Sequence, residues 1–242
     1  MFIKICANTN VADARLAVDL GADAVGFVFA PSKRRVTAEQ VAEITRQLPE
    51  DVLRVGVFAT TDMSEIEDCV TGAGLNAAQL HVAFDPAMIE RLSKLSVELR
   101  LIQVVTYAVD EEDRAATDVA FERTLRAVFA EPRVWAVLID AAKSGRSGGL
   151  GVAMDWSHVA RIVERAIDES GLAERPRVVL AGGLTPENVA EAIATLKPWG
   201  VDVASGVESE PGKKDPDRLQ AFLEAVRLDE ARQGEEDVEV GE

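Results

Sequence analysis

Separated stretches of this chain carry residue types that do chemistry when a fold brings them together. Cys6 follows the apolar run Phe2-Ile-Lys-Ile5, and Thr9 and Asn10 behind it offer helix-capping side chains. A thiol can be tuned to remove a proton near neutral pH. Asp140 closes another apolar run and precedes a stretch rich in glycine from Gly145 to Gly151, which reads as a mobile loop able to fold over a ligand. A carboxyl group there is a general acid or a cap for that loop, and position does not separate the two. Late in the chain, Gly182-Gly183 and Ser205-Gly206 each follow an apolar run. Alone, either pair reads as a tight turn; on consecutive strands they favour a phosphate cradle of backbone N–H groups. Arg34 stands in a basic turn, Ser32-Lys-Arg-Arg35. Its planar fork suits a carboxylate, although a turn arginine is ordinarily just solvated.

The elements that must position these residues alternate along the chain. Strand-like runs are predicted at Phe2 to Cys6, Ala24 to Phe29, Leu53 to Phe58 and Ala77 to His81. Others fall at Leu99 to Val105, Val134 to Asp140, Arg177 to Ala181 and Asp202 to Ser205. Helical patterns lie between them. Thr37 and Gln40 have capping-box spacing, Asp62 opens another helix, and Thr185-Pro186 reads as a cap followed by a first-turn proline. Gly21-Ala-Asp23, Gly74-Leu-Asn76 and Gly200-Val-Asp202 form an internal echo. In each, a left-handed glycine is expected to end a helix and a short polar residue to start a strand. Strict alternation favours a parallel α/β sheet, and 242 residues suit its closure into a single-domain (β/α)8 TIM barrel. An open doubly wound sheet has the same alternation.

The barrel domain is expected over residues 1–228. Residues 229–242 hold seven acidic side chains against Arg232 and are expected to be a disordered, solvated tail. Ala108 to Pro132, opened by acidic residues, reads as a surface helix decorating the fold. The net charge of −16 argues against a nucleic-acid partner, so an anionic substrate must be met by local donors. Two cysteines, no leader-like segment and no long apolar run point to a reducing cytoplasm, no disulfide framework and no membrane span. Cys69 reads as a buried helix filler, and His158 as structural or exposed. The sequence does not choose between a monomer and a homodimer.

The ordered set of motifs resembles the phosphoribosylanthranilate isomerase family. It comprises Lys4-Ile-Cys6, Gly21 to Phe29, Ser32-Lys-Arg34, Val55-Gly-Val-Phe58, Gln79-Leu-His81 and Leu138-Ile-Asp140. Gly148-Gly149, Asp155-Trp156, Leu180 to Leu184, Pro186 to Val189, Asp202 to Glu208 and Gly212 to Asp215 complete it. The resemblance implies an Amadori rearrangement of N-(5′-phosphoribosyl)anthranilate in tryptophan biosynthesis. It makes Cys6 the general base and Asp140 the general acid. Arg34 holds the substrate carboxylate, Gly182, Gly183, Ser205 and Gly206 cradle the phosphate, and His81 lines the site. No metal or organic cofactor is implied, because the substrate nitrogen itself supplies the electron sink.

Strand alternation places Lys4 on the face of Cys6, where it favours the thiolate. Closure would bring Asp202 of the last strand beside it, within the substrate site; as a strand-entry residue like Asp23 it has a plainer role. Ala7, Asn8, Val82 and Leu150 stand where the family carries glycine, leucine, glycine and threonine. A methyl at Ala7 opposes the positive φ that glycine allows. Rival readings are a histidine-pathway relative, disfavoured because that family uses a carboxylate where Cys6 stands, an enzyme for a modified arylamine, and a non-catalytic phosphosugar-binding barrel.

Overall fold

The computed structural model describes residues 1–109, 111–143, 146–147 and 155–239. Strand and helix alternate as β1 (Phe2–Ile5), α1 (Val11–Asp19), β2 (Ala24–Val28), α2 (Ala38–Thr45), β3 (Leu53–Phe58) and α3 (Met63–Gly72). They continue with β4 (Ala77–Leu80), α4 (Pro86–Leu92), β5 (Arg100–Ala108), α5 (Arg114–Phe129), β6 (Val134–Lys143) and α6 (Trp156–Asp168). Last come β7 (Val178–Leu180), α7 (Val189–Leu196), β8 (Gly200–Val203) and α8 (Pro216–Glu239). All neighbouring strands pair in parallel, and β8 returns to β1 with Asp202 opposite Lys4. The sheet is therefore closed: this is a (β/α)8 barrel, and the open-sheet alternative is excluded.

Strand alternation divides the apolar residues between two cores. Outward positions such as Ile3, Ile5, Val25 and Phe27 pack under the helices, while Ala24, Val55, Ile102, Leu138 and Val179 fill the barrel interior. Helix starts follow side-chain chemistry. Thr37 and Gln40 close the expected capping box, and Asp62 accepts from the backbone N–H groups of Ser64 and Glu65. At Thr185 the expectation fails by a turn. Thr185 to Asn188 form a bonded turn, and α7 begins only at Val189 behind Asn188.

The glycine echo serves two ends. Gly21 and Gly74 adopt φ of +94° and +64°, and Asp23 and Asn76 beyond them accept from Ile3 N–H and Arg54 N–H on adjacent strands. Gly200 does something else: an added Cβ there would stand 2.6 Å from the Phe2 carbonyl oxygen, so its bareness lets β8 approach β1. Lys197, at φ +48°, takes the left-handed helix end.

One expectation about decoration needs correction. The region Ala108 to Pro132 holds α5, which packs on β5, β6 and α6 and buries Phe121, Leu125, Val128 and Phe129. It is a barrel helix, because those positions share one helical face. The last helix, α8, runs from Pro216 to Glu239, and its start is docked through Leu219, Phe222 and Leu223. No helix among the described residues is long and apolar enough to cross a membrane.

Candidate active site

A cavity of about 420 Å³ opens at the C-terminal ends of the strands and brings together residues far apart in sequence. Cys6, Arg34, His81, Asp140, Asp202, Gly182, Gly183 and Ser205 all border it. Among the residues expected to bind the phosphate, Gly206 does not line this space. An added Cβ at Gly206 would strike the Leu184 backbone, so its lack of a side chain lets the β7 and β8 turns interlock behind the cavity. The Gly145–Gly151 stretch, with Gly148, Gly149 and Leu150, lies outside the described residues except for Arg146 and Ser147, which turn back antiparallel on Ala142 and Lys143.

The β1–β8 seam carries the charge. Lys4 is fully buried, and its Nζ donates to Asp202 Oδ1 at 2.8 Å, as strand alternation and closure anticipate. Burial alone would lower the Lys4 ammonium, but Asp202 and Cys6 outweigh it and hold the group above its ordinary value. Burial likewise pushes the Cys6 thiol up. Lys4 and Lys214 favour the thiolate, Asp202 opposes it, and the net direction is upward. The thiol form of Cys6 is therefore favoured over the thiolate, and Lys4 tempers the burial without reversing it.

Gly26 was not legible as a site residue, yet it makes this arrangement possible. A Cβ at Gly26 would lie 2.7 Å from Cys6 Sγ and 3.0 Å from Lys4 Nζ. Only a bare residue on β2 leaves room for both.

Beside the thiol a second buried network extends over residues that the motifs include without any role. Arg34 Nε donates to both Glu208 oxygens at 2.9 Å, and Nη2 adds a bond of 2.5 Å to Oε2. Lys214 Nζ donates to the Cys6 carbonyl at 2.5 Å and the Ala204 carbonyl at 3.2 Å, with Glu208 Oε1 at 3.5 Å. Glu208 raises Arg34 further above its ordinary value, whereas burial holds Lys214 below its own. The Arg34 guanidinium is thus no loose solvated group but one aimed by a carboxylate from across the β8 turn.

Three strands round the barrel from β1, Asp140 is 4% exposed and sits in β6 opposite Thr106. The strand runs past it to Lys143, further than predicted. Gly182 and Gly183, at φ +88° and +73°, form successive left-handed turns, and a Cβ on Gly182 would meet Asp140 Oδ1 at 2.9 Å. Consecutive peptides in such turns direct N–H groups into a concavity suited to an anion. The short 3₁₀ turn Ser205–Val207 presents its N-terminus alongside.

Gln79 and His81 line the β4 side, with Gln79 Nε2 and His81 Nε2 2.9 Å apart. Burial and Lys4 pull His81 down to about 4, so the ring is neutral at physiological pH and accepts from the amide. His158, by contrast, lies outside the barrel on Asp118, and Cys69 is partly exposed on α3.

Ala7 and Val82, two of the departures from the family pattern, are both accommodated. Ala7 keeps the left-handed backbone, at φ +63°, despite its methyl. Val82 replaces a glycine without positive φ and packs against the outer core.

Fold and cavity define the class: a (β/α)8-barrel enzyme whose polar groups converge at the C-terminal ends of its strands. Residues 3–225 match the family described as PRAI, N-(5′-phosphoribosyl)anthranilate isomerase. The isomerase of Symbiobacterium thermophilum is 39% identical over 236 residues, covering 94% of this chain and 98% of that protein. The crystal structure of the Thermotoga maritima enzyme has a TM-score of 0.75 at 33% identity, covering 94% of this chain and 98% of that one. A phosphoribosyl anthranilate isomerase in complex with reduced 1-(o-carboxyphenylamino)-1-deoxyribulose 5-phosphate superposes with a TM-score of 0.72, also at 33% identity, covering 94% of this chain and 98% of that one. The chain belongs to the N-(5′-phosphoribosyl)anthranilate isomerase family.

Proposed function

We propose that this enzyme converts N-(5′-phosphoribosyl)anthranilate into 1-(2-carboxyphenylamino)-1-deoxyribulose 5-phosphate by an Amadori rearrangement, within tryptophan biosynthesis. The observation that carries the reading is that the Cys6 thiol, just after β1, and the Asp140 carboxyl, on β6 three strands round the barrel, border one cavity, with cationic and anion-binding groups around them.

The steps follow from that layout. Asp140 donates a proton to the furanose oxygen as the C1′–O bond breaks, leaving an iminium between C1′ and the anilino nitrogen. Cys6, as thiolate, takes the proton from C2′, and its C–H electron pair moves toward the iminium nitrogen to give an enolamine. Tautomerisation of the enolamine then yields the C2′ ketone. The substrate nitrogen is the electron sink, so the protein supplies proton transfer and orientation.

Arg34 holds the anthranilate carboxylate. Nε and Nη2 are engaged by Glu208, and the Nη1 donors of the fork are those offered to substrate. The phosphate lies on the Gly182-Gly183 turn and at Ser205, with Gly206 fixing the geometry from behind. Lys4, paired with Asp202, stabilises the equilibrium fraction of Cys6 that is thiolate, and that fraction is the one that takes the C2′ proton. His81 stays neutral and supports the wall without transferring a proton.

The test compares turnover with binding. Cys6→Ser and Asp140→Asn are expected to abolish isomerisation while still binding the reduced product analogue. Lost binding with turnover intact per bound substrate would contradict both roles.

A further inference from the structure

Ala7 and Asn8 follow the thiol directly, and both are unusual for their surroundings. Ala7 is 1% exposed and holds φ at +63°, a conformation that an L side chain resists because Cβ crowds the backbone. Lys197 is the other non-glycine residue with positive φ among those described, and it sits at a helix end, where that conformation is common. Ala7 has no such excuse. A strained residue persists only where its neighbours over-determine it.

The neighbours do so from both sides. Before Ala7, Cys6 N–H donates to the Val203 carbonyl at 2.8 Å and the Cys6 carbonyl accepts from Lys214 Nζ. After it, Asn8 N–H donates to the Gly26 carbonyl at 2.9 Å. Asn8 is 0% exposed, and its Nδ2 donates to the Ile5 carbonyl at 2.7 Å and the Gly26 carbonyl at 3.3 Å. Its Oδ1 has no partner among the described residues. The amide cannot be turned over, since Oδ1 would then face two carbonyl oxygens. A buried amide that leaves one acceptor unmet to grip two carbonyls is set for that grip.

Those carbonyls bracket the thiol. Ile5 precedes Cys6, and Gly26 is the bare residue against which Cys6 Sγ and Lys4 Nζ pack. We infer that Asn8 is a positioning residue for the proton transfer: its side-chain amide clamps β1 to β2 across Ala7, holds the left-handed turn, and so keeps the Cys6 thiol in the space over Gly26. Without the clamp, Ala7 relaxes toward negative φ. The peptide between Cys6 and Ala7 then rotates and carries Sγ away from Lys4. A glycine at position 7 adopts the turn without strain and makes the clamp dispensable.

The inference rests on Cys6 as the base, and the experiment separates the two. Asn8→Leu, Ala7→Gly and the double variant are made in the full chain with Cys69→Ser, so that one thiol reports. Each is assayed for kcat and KM on N-(5′-phosphoribosyl)anthranilate and for the pH dependence of iodoacetamide alkylation. Asn8→Leu is expected to lower kcat about tenfold, with KM changed less than about twofold. Its alkylation profile moves to higher pH as the thiol loses Lys4. The double variant is expected to return to within about threefold of Ala7→Gly alone, in both kcat and alkylation, because the two changes act on one turn. Asn8→Ser, too short to reach both carbonyls, gives the same comparison if Asn8→Leu does not fold. Independent effects of the two substitutions, or an unchanged kcat and alkylation profile, would overturn the positioning role. Alkylation reads the thiol whether or not it is the base, so turnover surviving in Cys6→Ser would remove the base assignment separately.

Discussion

Two residues along β1, the barrel changes character. At Phe2 the ring stacks on Trp199 with centroids 4.7 Å apart, and Trp135 meets both rings edge-on. Arg100 and Arg177 lie over the Trp135 ring at 4.8 and 5.3 Å. At Lys4 the same strand enters a network of buried charge: Lys4 with Asp202, then Lys214, Glu208 and Arg34. The aromatic end plugs the strand beginnings with area and dispersion, which stabilise without demanding exact geometry. The charged end gains little net stability, since desolvating such groups offsets most of their attraction. What it provides is a fixed direction for the thiol and for the guanidinium. One end holds the barrel shut, and the other holds reactive groups in place.

Substitutions at the two ends should therefore fail differently. The largest loss is expected from Cys6→Ser or Asp140→Asn: turnover falls by about 10³-fold or more while the thermal midpoint stays near that of the parent. Lys4→Met couples both properties. It leaves Asp202 buried without its cation, at a cost of about 3–5 kcal/mol, and removes the group that favours the thiolate. Denaturant unfolding and kcat should fall together.

Trp135→Ala, at the opposite end, should cost about 2–3 kcal/mol in the same unfolding experiment and leave kcat and KM unchanged. An altered KM there would blur the division between the ends. Arg34→Ala is expected to raise KM about tenfold with little effect on kcat, since the proposed carboxylate contact would persist throughout the reaction. The smallest effect concerns pH. With His81 held down to about 4, the unfolded chain binds the extra proton first as pH falls through about 6.5. Its contribution to stability is therefore full above that pH and is lost on descent toward 4. His81→Gln should flatten that part of the stability curve, measured by thermal melts across the range.

How much of this was legible depended on range. Alternation along β1 put Lys4 with Cys6, and closure then brought Asp202 to them. Apolar periodicity found the strands to within three residues, the largest overruns being β5 to Ala108 and β6 to Lys143. The echo of Gly21 and Gly74 was readable because a left-handed glycine acts locally. Gly200 was not, because its reason is the Phe2 carbonyl on another strand.

The same limit hid Gly26, Glu208 and Lys214 as site residues. Arg34 and Glu208 lie 174 positions apart, and Lys214 and Cys6 208 apart, so no local pattern announces either contact. The α5 helix was within reach: Phe121, Leu125, Val128 and Phe129 fall on one helical face, but the acidic run ahead of them drew the reading toward decoration. Ala7 shows the converse. Its methyl correctly signalled strain, and the hydrogen bonds that hold the strain in place come from partners that only the fold supplies.

The most direct test of Cys6 as base is turnover of freshly prepared N-(5′-phosphoribosyl)anthranilate, followed by loss of its fluorescence, in the parent and in Cys6→Ser. The expected result is robust isomerisation that vanishes in the variant while the variant still binds the reduced product analogue. Isomerisation that survives in Cys6→Ser, or a parent enzyme that binds the analogue without turning over the substrate, would contradict it.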